Sequence, residues 1–257
     1  MKAMPVLLAV LKGPMQSWGA SSRFMRRETE MMPTKSGVIG MVAGALGMER
    51  IASLDRFKSL RFGVRIDQRG TLLKDYHTVT KDKETKVSQR FYLQDAVFLI
   101  GLESPSRDEL ECFQAALGAP FYPLYLGRRS CPPDGPIRSW IIEDDLEHAL
   151  AAAPWQAAEW YQRSMLSRRK TLASEGPVEI IVETKASDMD GGLVDTINDE
   201  PVRFDPRLRL WNTRSYRHLE DVSPNPTVSV TPHAEGQTSS FSGDEFFDAV
   251  VQVKEKQ

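Results

Sequence analysis

Gly37, Gly40, Gly44 and Gly47 recur at helical spacing within an otherwise apolar stretch, and no other feature restricts the fold of this chain as strongly. Val38, Ile39, Met41, Val42, Ala45 and Leu46 supply the apolar face of a helix there. Thr34 or Ser36 can cap its start, where the first amides lack an intrahelical partner, and Gly47 sets its stop. Each glycine inside a helix costs about 1 kcal/mol relative to alanine, so the repeat needs a reason. Two stand open: tight packing of the helix on a sheet, or phosphates approaching the N-terminal turn, where free amides, the helix dipole and Lys35 favour an anion. A Walker A loop is excluded, because Thr29 and Thr34 stand where its glycines must be.

Upstream, Pro5 to Leu11 reads as a buried strand, followed by a Gly/Pro loop carrying Trp18 and a basic segment with Arg23, Arg26 and Arg27. Lys2 before the apolar run imitates a signal peptide, but Lys12 and Pro14 cut it short and no small-residue cleavage pattern follows. Ser36 to Met48, the longest uncharged stretch, is far below the roughly 20 apolar residues of a membrane span. The expectation is a globular chain with no membrane segment.

Downstream, Leu60 to Ile66 and the continuous apolar run Ala96 to Leu102 read as strands, Ser106 to Leu117 as a helix, and Pro123 to Leu126 as a short closing strand. The resulting order, strand, helix, strand, strand, helix, strand, is an α+β pattern of the ferredoxin-like, RRM-related kind, although composition alone permits other α+β folds. Between the middle strands, residues 68–94 form a polar insertion with Lys74, Lys81, Lys83, Lys86 and Arg90, too long for an ordinary hairpin loop. A projecting β-hairpin is expected there. Pro132-Pro133-Asp134-Gly135-Pro136 marks a boundary between a domain over 1–132 and a smaller, β-rich C-terminal domain over 133–257 with a flexible tail.

A formal charge of -2 and a pI near 6.1 argue against a uniformly basic coat, so any RNA site must be a local patch. Cys112 and Cys131 are too few for a disulfide framework and lack metal-ligand spacing, which points to a reduced, cytoplasmic location without a metal or other cofactor. Arg128 and Arg129 put two guanidiniums on a turn, able to fork onto phosphate oxygens or stack on a base. Cys131 beside them has no His or acid partner nearby in sequence, so a thiol nucleophile of lowered pKa is not expected.

In the second half, Ile137 to Ile142 and Pro177 to Thr184 read as strands, with a helix through Ala153 after the acidic run that begins at Glu143. Arg203, Arg207, Arg209, Arg214 and Arg217 surround Trp211 and Tyr216. Cations with aromatics suit RNA or an RNA-bound partner, while the alternation in RLRLW suits a strand with one charged face. Ser187 to Glu200 lacks the ligand pattern of a calcium loop, and Asp244 to Val253 reads as an amphipathic helix.

Asp75-Tyr76-His77 raises the possibility of ribonuclease chemistry. Metal-free cleavage needs a base at the 2′-hydroxyl and an acid at the leaving oxygen. Neighbours on a strand point to opposite faces, so Tyr76 and His77 do not naturally converge. A metal-independent endoribonuclease using Tyr76, His77 and Lys81 is the alternative to a binding protein.

Taken together, GPMQSWG, SSRF, RRET, PTKSGVIG, FGVRID, DYHT and PLYLGRRSCPP, spread over residues 4 to 133, resemble the CasD family of type I-E CRISPR Cascade subunits, in the RAMP superfamily. The resemblance implies a non-catalytic, RNA-binding subunit that holds the 5′ handle of the crRNA, with the 68–94 insertion as a thumb that bends the RNA where handle meets spacer. It implies as partners the crRNA, the backbone subunit CasC, the large subunit CasA and, through the assembled complex, target DNA in antiviral defence. The related type I-C subunit processes the precursor RNA, which keeps the endoribonuclease alternative open. In type I-E systems that task belongs to CasE. The residues expected to form the groove around a single-stranded handle are Trp18, Arg23, Arg26, Arg27, Lys35, Ser36, Gly37, Lys74, His77, Lys81, Lys83, Lys86, Arg128 and Arg129.

Overall fold

The computed structural model describes residues 4–19, 26–81, 84–169, 178–184, 194–219, 222–223 and 225–227. In chain order the elements of the first half are β1 (Pro5–Lys12), β2 (Met15–Gln16), β3 (Arg26–Arg27), α1 (Lys35–Ala45), β4 (Arg61–Gln68), β5 (Thr71–Lys81), β6 (Glu84–Gln94), β7 (Val97–Glu103) and α2 (Arg107–Gly118). Then follow β8 (Ser139–Glu143), α3 (Leu146–Ala152), α4 (Glu159–Arg169), β9 (Glu179–Glu183), β10 (Asp195–Arg203) and β11 (Leu210–His218).

The continuous apolar runs lie in a central sheet covered on both faces, which is why they do not alternate. Every residue of β7 is buried, and in β1 only Lys12 is exposed. The seven strands run in the order β10-β11-β9-β4-β7-β1-β8, with all pairings antiparallel. Leu7, Ala9 and Leu11 of β1 join Phe98 and Ile100 of β7 under Val38, Val42, Leu110 and Phe113, the buried faces of α1 and α2. Val6, Leu8 and Val10 point the other way, into a second cluster with Leu146, Ala149 and Leu150 of α3. The fold is therefore a mixed α/β structure with helices on both faces of an antiparallel sheet.

The expected closing strand over Pro123 to Leu126 is not formed. Leu124 and Leu126 are buried in the α1–α2 core from an irregular segment, and the strand beside β1 is β8. An apolar doublet that fills a core without joining a ladder looks like a strand in sequence. β8 lies beyond the boundary expected at 132/133, and β9 pairs with β4, so the sheet is continuous across that position.

The 68–94 insertion is a long hairpin. β5 and β6 keep unbroken register from Thr71 opposite Gln94 to Lys81 opposite Glu84. β6 also pairs with the short strands β2 and β3, which tie the base of the hairpin to the segments flanking Trp18. Asp244 to Val253, Asp188, Asp190, Gly191 and Gly192 lie outside the described residues.

Candidate nucleic-acid interface

Helix α1 starts where the sequence indicates. The Thr34 hydroxyl accepts from the Gly37 amide at 3.3 Å, a cap worth about 1 kcal/mol, and Gly47 closes the other end with φ +72°. The glycine repeat serves different ends along the helix. A side chain on Gly37 would come within 2.9 Å of the Trp18 ring, so there the helix is packed tightly. Gly44 faces open space, with nothing within 4 Å of the position its Cβ would take.

Trp18 itself is fully buried. Its indole N–H donates to Gln16 Oε1 at 3.1 Å, while the Gln16 amide donates to the carbonyls of Leu11 and Ala96. The ring supports the groove from beneath and is not exposed for stacking. Gly127, at φ +83°, crosses so close to Ser17 that a Cβ would sit 1.9 Å from the Ser17 carbonyl oxygen. This contact holds the Arg128-Arg129 turn against the helix start.

Lys35 corrects the sequence expectation most clearly. Its ammonium is 2% exposed and lies between Glu183, at 3.0 Å, and Glu200, at 2.6 Å. Its backbone amide, the first of α1, donates to Asp199 Oδ2 at 2.7 Å. The anion drawn to this helix start is the chain's own carboxylate, and Lys35 presents no free charge to a phosphate. Asp199 also takes a fork from Arg214, at 2.6 and 3.0 Å.

The arginine pair divides in the same way. Arg128 turns inward and donates to the carbonyls of Phe91, Arg27 and Glu28 at 2.8 to 3.1 Å, stacking over Tyr92 at 5.0 Å. Burial pushes its pKa down, as expected for a desolvated cation. Arg129 is exposed and, among the described residues, has no hydrogen bond or ion pair. Burial raises the Cys131 thiol despite its arginine neighbour, which leaves no activated nucleophile at this turn.

The open face of α1 lines two adjoining cavities of about 700 and 560 Å³, which share Ser36, Gly37, Gly127, Phe204 and Arg209. Glycines form the floor of the larger one, with Tyr122, Tyr125, Arg50 and Arg129 at its margin. Arg27, Arg128 and Trp211 line the smaller. Arg27, Arg50, Arg129 and Arg209 are exposed, and their side chains make no ion pair among the described residues. A single-stranded polyanion needs this combination, with charge at the rim, aromatic faces, and a floor low enough for a base or a backbone to lie on the helix.

The structure thus brings together Trp18, Arg27, Ser36, Gly37, Arg128 and Arg129 of the expected site. Lys74 and His77 stay apart on the hairpin. Lys74 lies 5.0 Å from the Tyr76 ring centre and 5.9 Å from that of Phe91, on one face. On the other face the His77 ring is hydrogen-bonded to Asp75 at 2.5 Å. Lys81 and Lys86 contribute backbone to β5 and β6 and Arg26 to β3, while Arg23 and Lys83 lie outside the described residues. Phe204, Tyr122, Tyr125 and Arg50 escaped the sequence reading because each is ordinary in its own stretch and joins the groove only through folding.

Comparison with known proteins gives the family of the chain. A family model described as CRISPR-associated protein (Cas_Cas5) matches residues 6–217. The chain belongs to this CRISPR-associated protein family. Within it, the chain is 31% identical over 223 residues to the CRISPR system Cascade subunit CasD of Escherichia coli (strain K12), covering 78% of this chain and 90% of that protein. It also resembles a chain of a solved CRISPR RNA-guided surveillance complex, with a TM-score of 0.67, 32% identity, and coverage of 85% of this chain and 91% of that one. A crystal structure titled only as a Cas protein matches with a TM-score of 0.62 and 32% identity, covering 86% of this chain and 98% of that one. Among the described residues of this family member, no group of three or more His, Cys, Asp and Glu could hold a metal ion, and no helix is long and apolar enough to cross a membrane.

Proposed function

We propose that this chain is a non-catalytic RNA-binding subunit of a type I-E Cascade complex, and that its groove holds the single-stranded 5′ handle of the crRNA. The observation that carries the reading is the set of exposed arginines, Arg27, Arg50, Arg129 and Arg209, without ion-pair partners among the described residues, around a glycine-floored groove. Membership of the family and similarity to CasD support the biological setting. Arginine contacts to phosphates position the RNA, and aromatic and backbone contacts favour an unpaired strand over a duplex.

On this reading β8-β1-β7-β4 with α1 and α2 is a ferredoxin-like unit, supported by the strand order and the two helices on one face. The β5–β6 hairpin is its thumb, and Lys74, His77, Lys81, Lys83 and Lys86 are the proposed contacts to RNA leaving the groove. The division into 1–132 and 133–257 then separates most of the RNA-binding core from a smaller part that supplies its edge strand β8 and a wall of the groove. CasC and CasA are the protein partners, target DNA is met through the assembled complex, and the compartment is the cytoplasm. Tyr76 and His77 lie on opposite faces of β5, so no observation favours the endoribonuclease reading.

The test mixes the purified protein with labelled repeat RNA in EDTA and compares native with denaturing gels. The expected result is a shifted band containing intact RNA. A defined cut that disappears in His77→Ala would transfer the assignment to a processing nuclease.

A further inference from the structure

Asp199 is fully buried, 164 residues distant in sequence from the helix amide it accepts. It lies in a stretch of β10 where the register against β11 shifts between Ile197 and Glu200, the kind of irregularity that re-aims a side chain out of a sheet. Here the side chain meets the start of α1. Glu200, the next residue, takes the Lys35 ammonium together with Glu183 of β9, and Arg214 of β11 forks onto Asp199 from the neighbouring strand. Three strands and the helix start are thereby joined through one set of charges, of which Lys35, Asp199 and Arg214 are buried.

Past this junction, β10 and β11 run on to the turn that carries Phe204 and Arg209, with Trp211 just after it. The turn has internal order, since Asp205 accepts from the amides of Arg207 and Leu208 at 2.8 and 3.1 Å. Those bonds fix its shape and not its place over the helix. The edge of the Phe204 ring lies 3.6 Å from where a side chain on Gly40 would begin, so the turn hangs directly over the glycine face.

We propose that Asp199 is a positioning residue: by occupying the anion-accepting start of α1 it holds the β10–β11 turn over the glycine face, so that Phe204, Arg209 and Trp211 complete the groove. The proposal rests on the RNA-binding reading of that groove. Asp199 touches no ligand and acts through the wall that it places.

The experiment uses the full chain and labelled repeat RNA, with Asp199→Asn, Arg209→Ala and the double variant. Amide hydrogen exchange is followed over 195–218 in the free protein. Asp199→Asn should weaken RNA binding about tenfold, and the double variant should bind little worse than the weaker single one, because both remove the same contact. Exchange over 195–218 should rise while β1 and β7 keep their protection. Unchanged exchange there, or additive losses of affinity, would overturn the proposal. If Arg209→Ala binds RNA like the parent, the RNA reading of the groove fails instead, and the exchange data still decide whether Asp199 holds the turn. Should Asp199→Asn not fold, Arg214→Lys, which keeps the charge and loses the fork, serves the same comparison.

Discussion

Lys35 and Arg209 both bring a cation to helix α1, and the fold treats them in opposite ways. Lys35 sits at the helix start, 2% exposed, between two carboxylates. Arg209 stands exposed at the groove, a part of the molecule where no described carboxylate pairs with it. A desolvated ammonium must be matched by anions from its own chain, whereas an exposed guanidinium can wait for a ligand. These two cations are therefore of different kinds, one that holds the sheet to the helix and one that faces the groove.

The largest effect that would expose this division belongs to Arg65. It is fully buried, paired with Asp67 at 2.6 Å and bonded to the carbonyls of Leu150 in α3 and of Ala153 and Pro154 just beyond it. Burial already pushes the Asp67 carboxyl up against the pull of Arg65. Arg65→Ala should destabilise the protein by about 3–5 kcal/mol in urea unfolding, because Asp67 is left buried without its partner. The salt dependence of RNA binding should stay that of the parent wherever the variant is folded. A loss below about 1 kcal/mol would break the comparison from the interior side.

A smaller contrast separates the two uses of the glycine repeat. Gly37→Ala forces a methyl against the Trp18 ring and the Thr34 cap and should cost about 1–3 kcal/mol. Gly44→Ala meets nothing within 4 Å and should raise stability by up to about 1 kcal/mol through helix propensity. Thermal unfolding of the pair reads both signs. Equal destabilisation would mean that the face over Gly44 is packed and not open.

The smallest effect concerns an exposed pair away from both regions. A hydrogen bond with Asp144 raises the His148 pKa above 6.5 and lowers that of Asp144. The folded-state His148 pKa exceeds the unfolded one, so its contribution is complete below the unfolded value and is lost as pH rises through the folded value. An NMR titration should place the His148 midpoint above 6.5 in the parent and lower it in Asp144→Asn. A midpoint unmoved by that substitution would remove Asp144 as the cause.

What the sequence could reveal followed how local each signal is. The Thr34 cap, the Gly47 stop, the span of α2 and the buried runs of β1 and β7 depend on neighbours a few residues away, and each lies where the sequence puts it. The fate of Lys35 was not legible, because Glu183 and Asp199 are 148 and 164 residues away. Arg128 and Arg129 look equivalent on paper. Only the return of β6 and the Arg27 segment beside the turn sends one inward to backbone carbonyls and leaves the other outside. Arg209 and Trp211 stand out as a basic, aromatic cluster, yet nothing local says that their turn lies over a helix far earlier in the chain.

The central claim is that the unpaired arginines of the groove contact RNA phosphates. Its most direct test is the salt dependence of RNA binding for the parent and for Arg129→Ala combined with Arg209→Ala. Each phosphate contact to a single strand contributes about 0.7 to the slope of log affinity against log salt, so the double variant should bind more weakly with a slope shallower by about 1.4. Its urea unfolding should match the parent within about 0.5 kcal/mol. Parent affinity and parent slope in that variant would contradict the account.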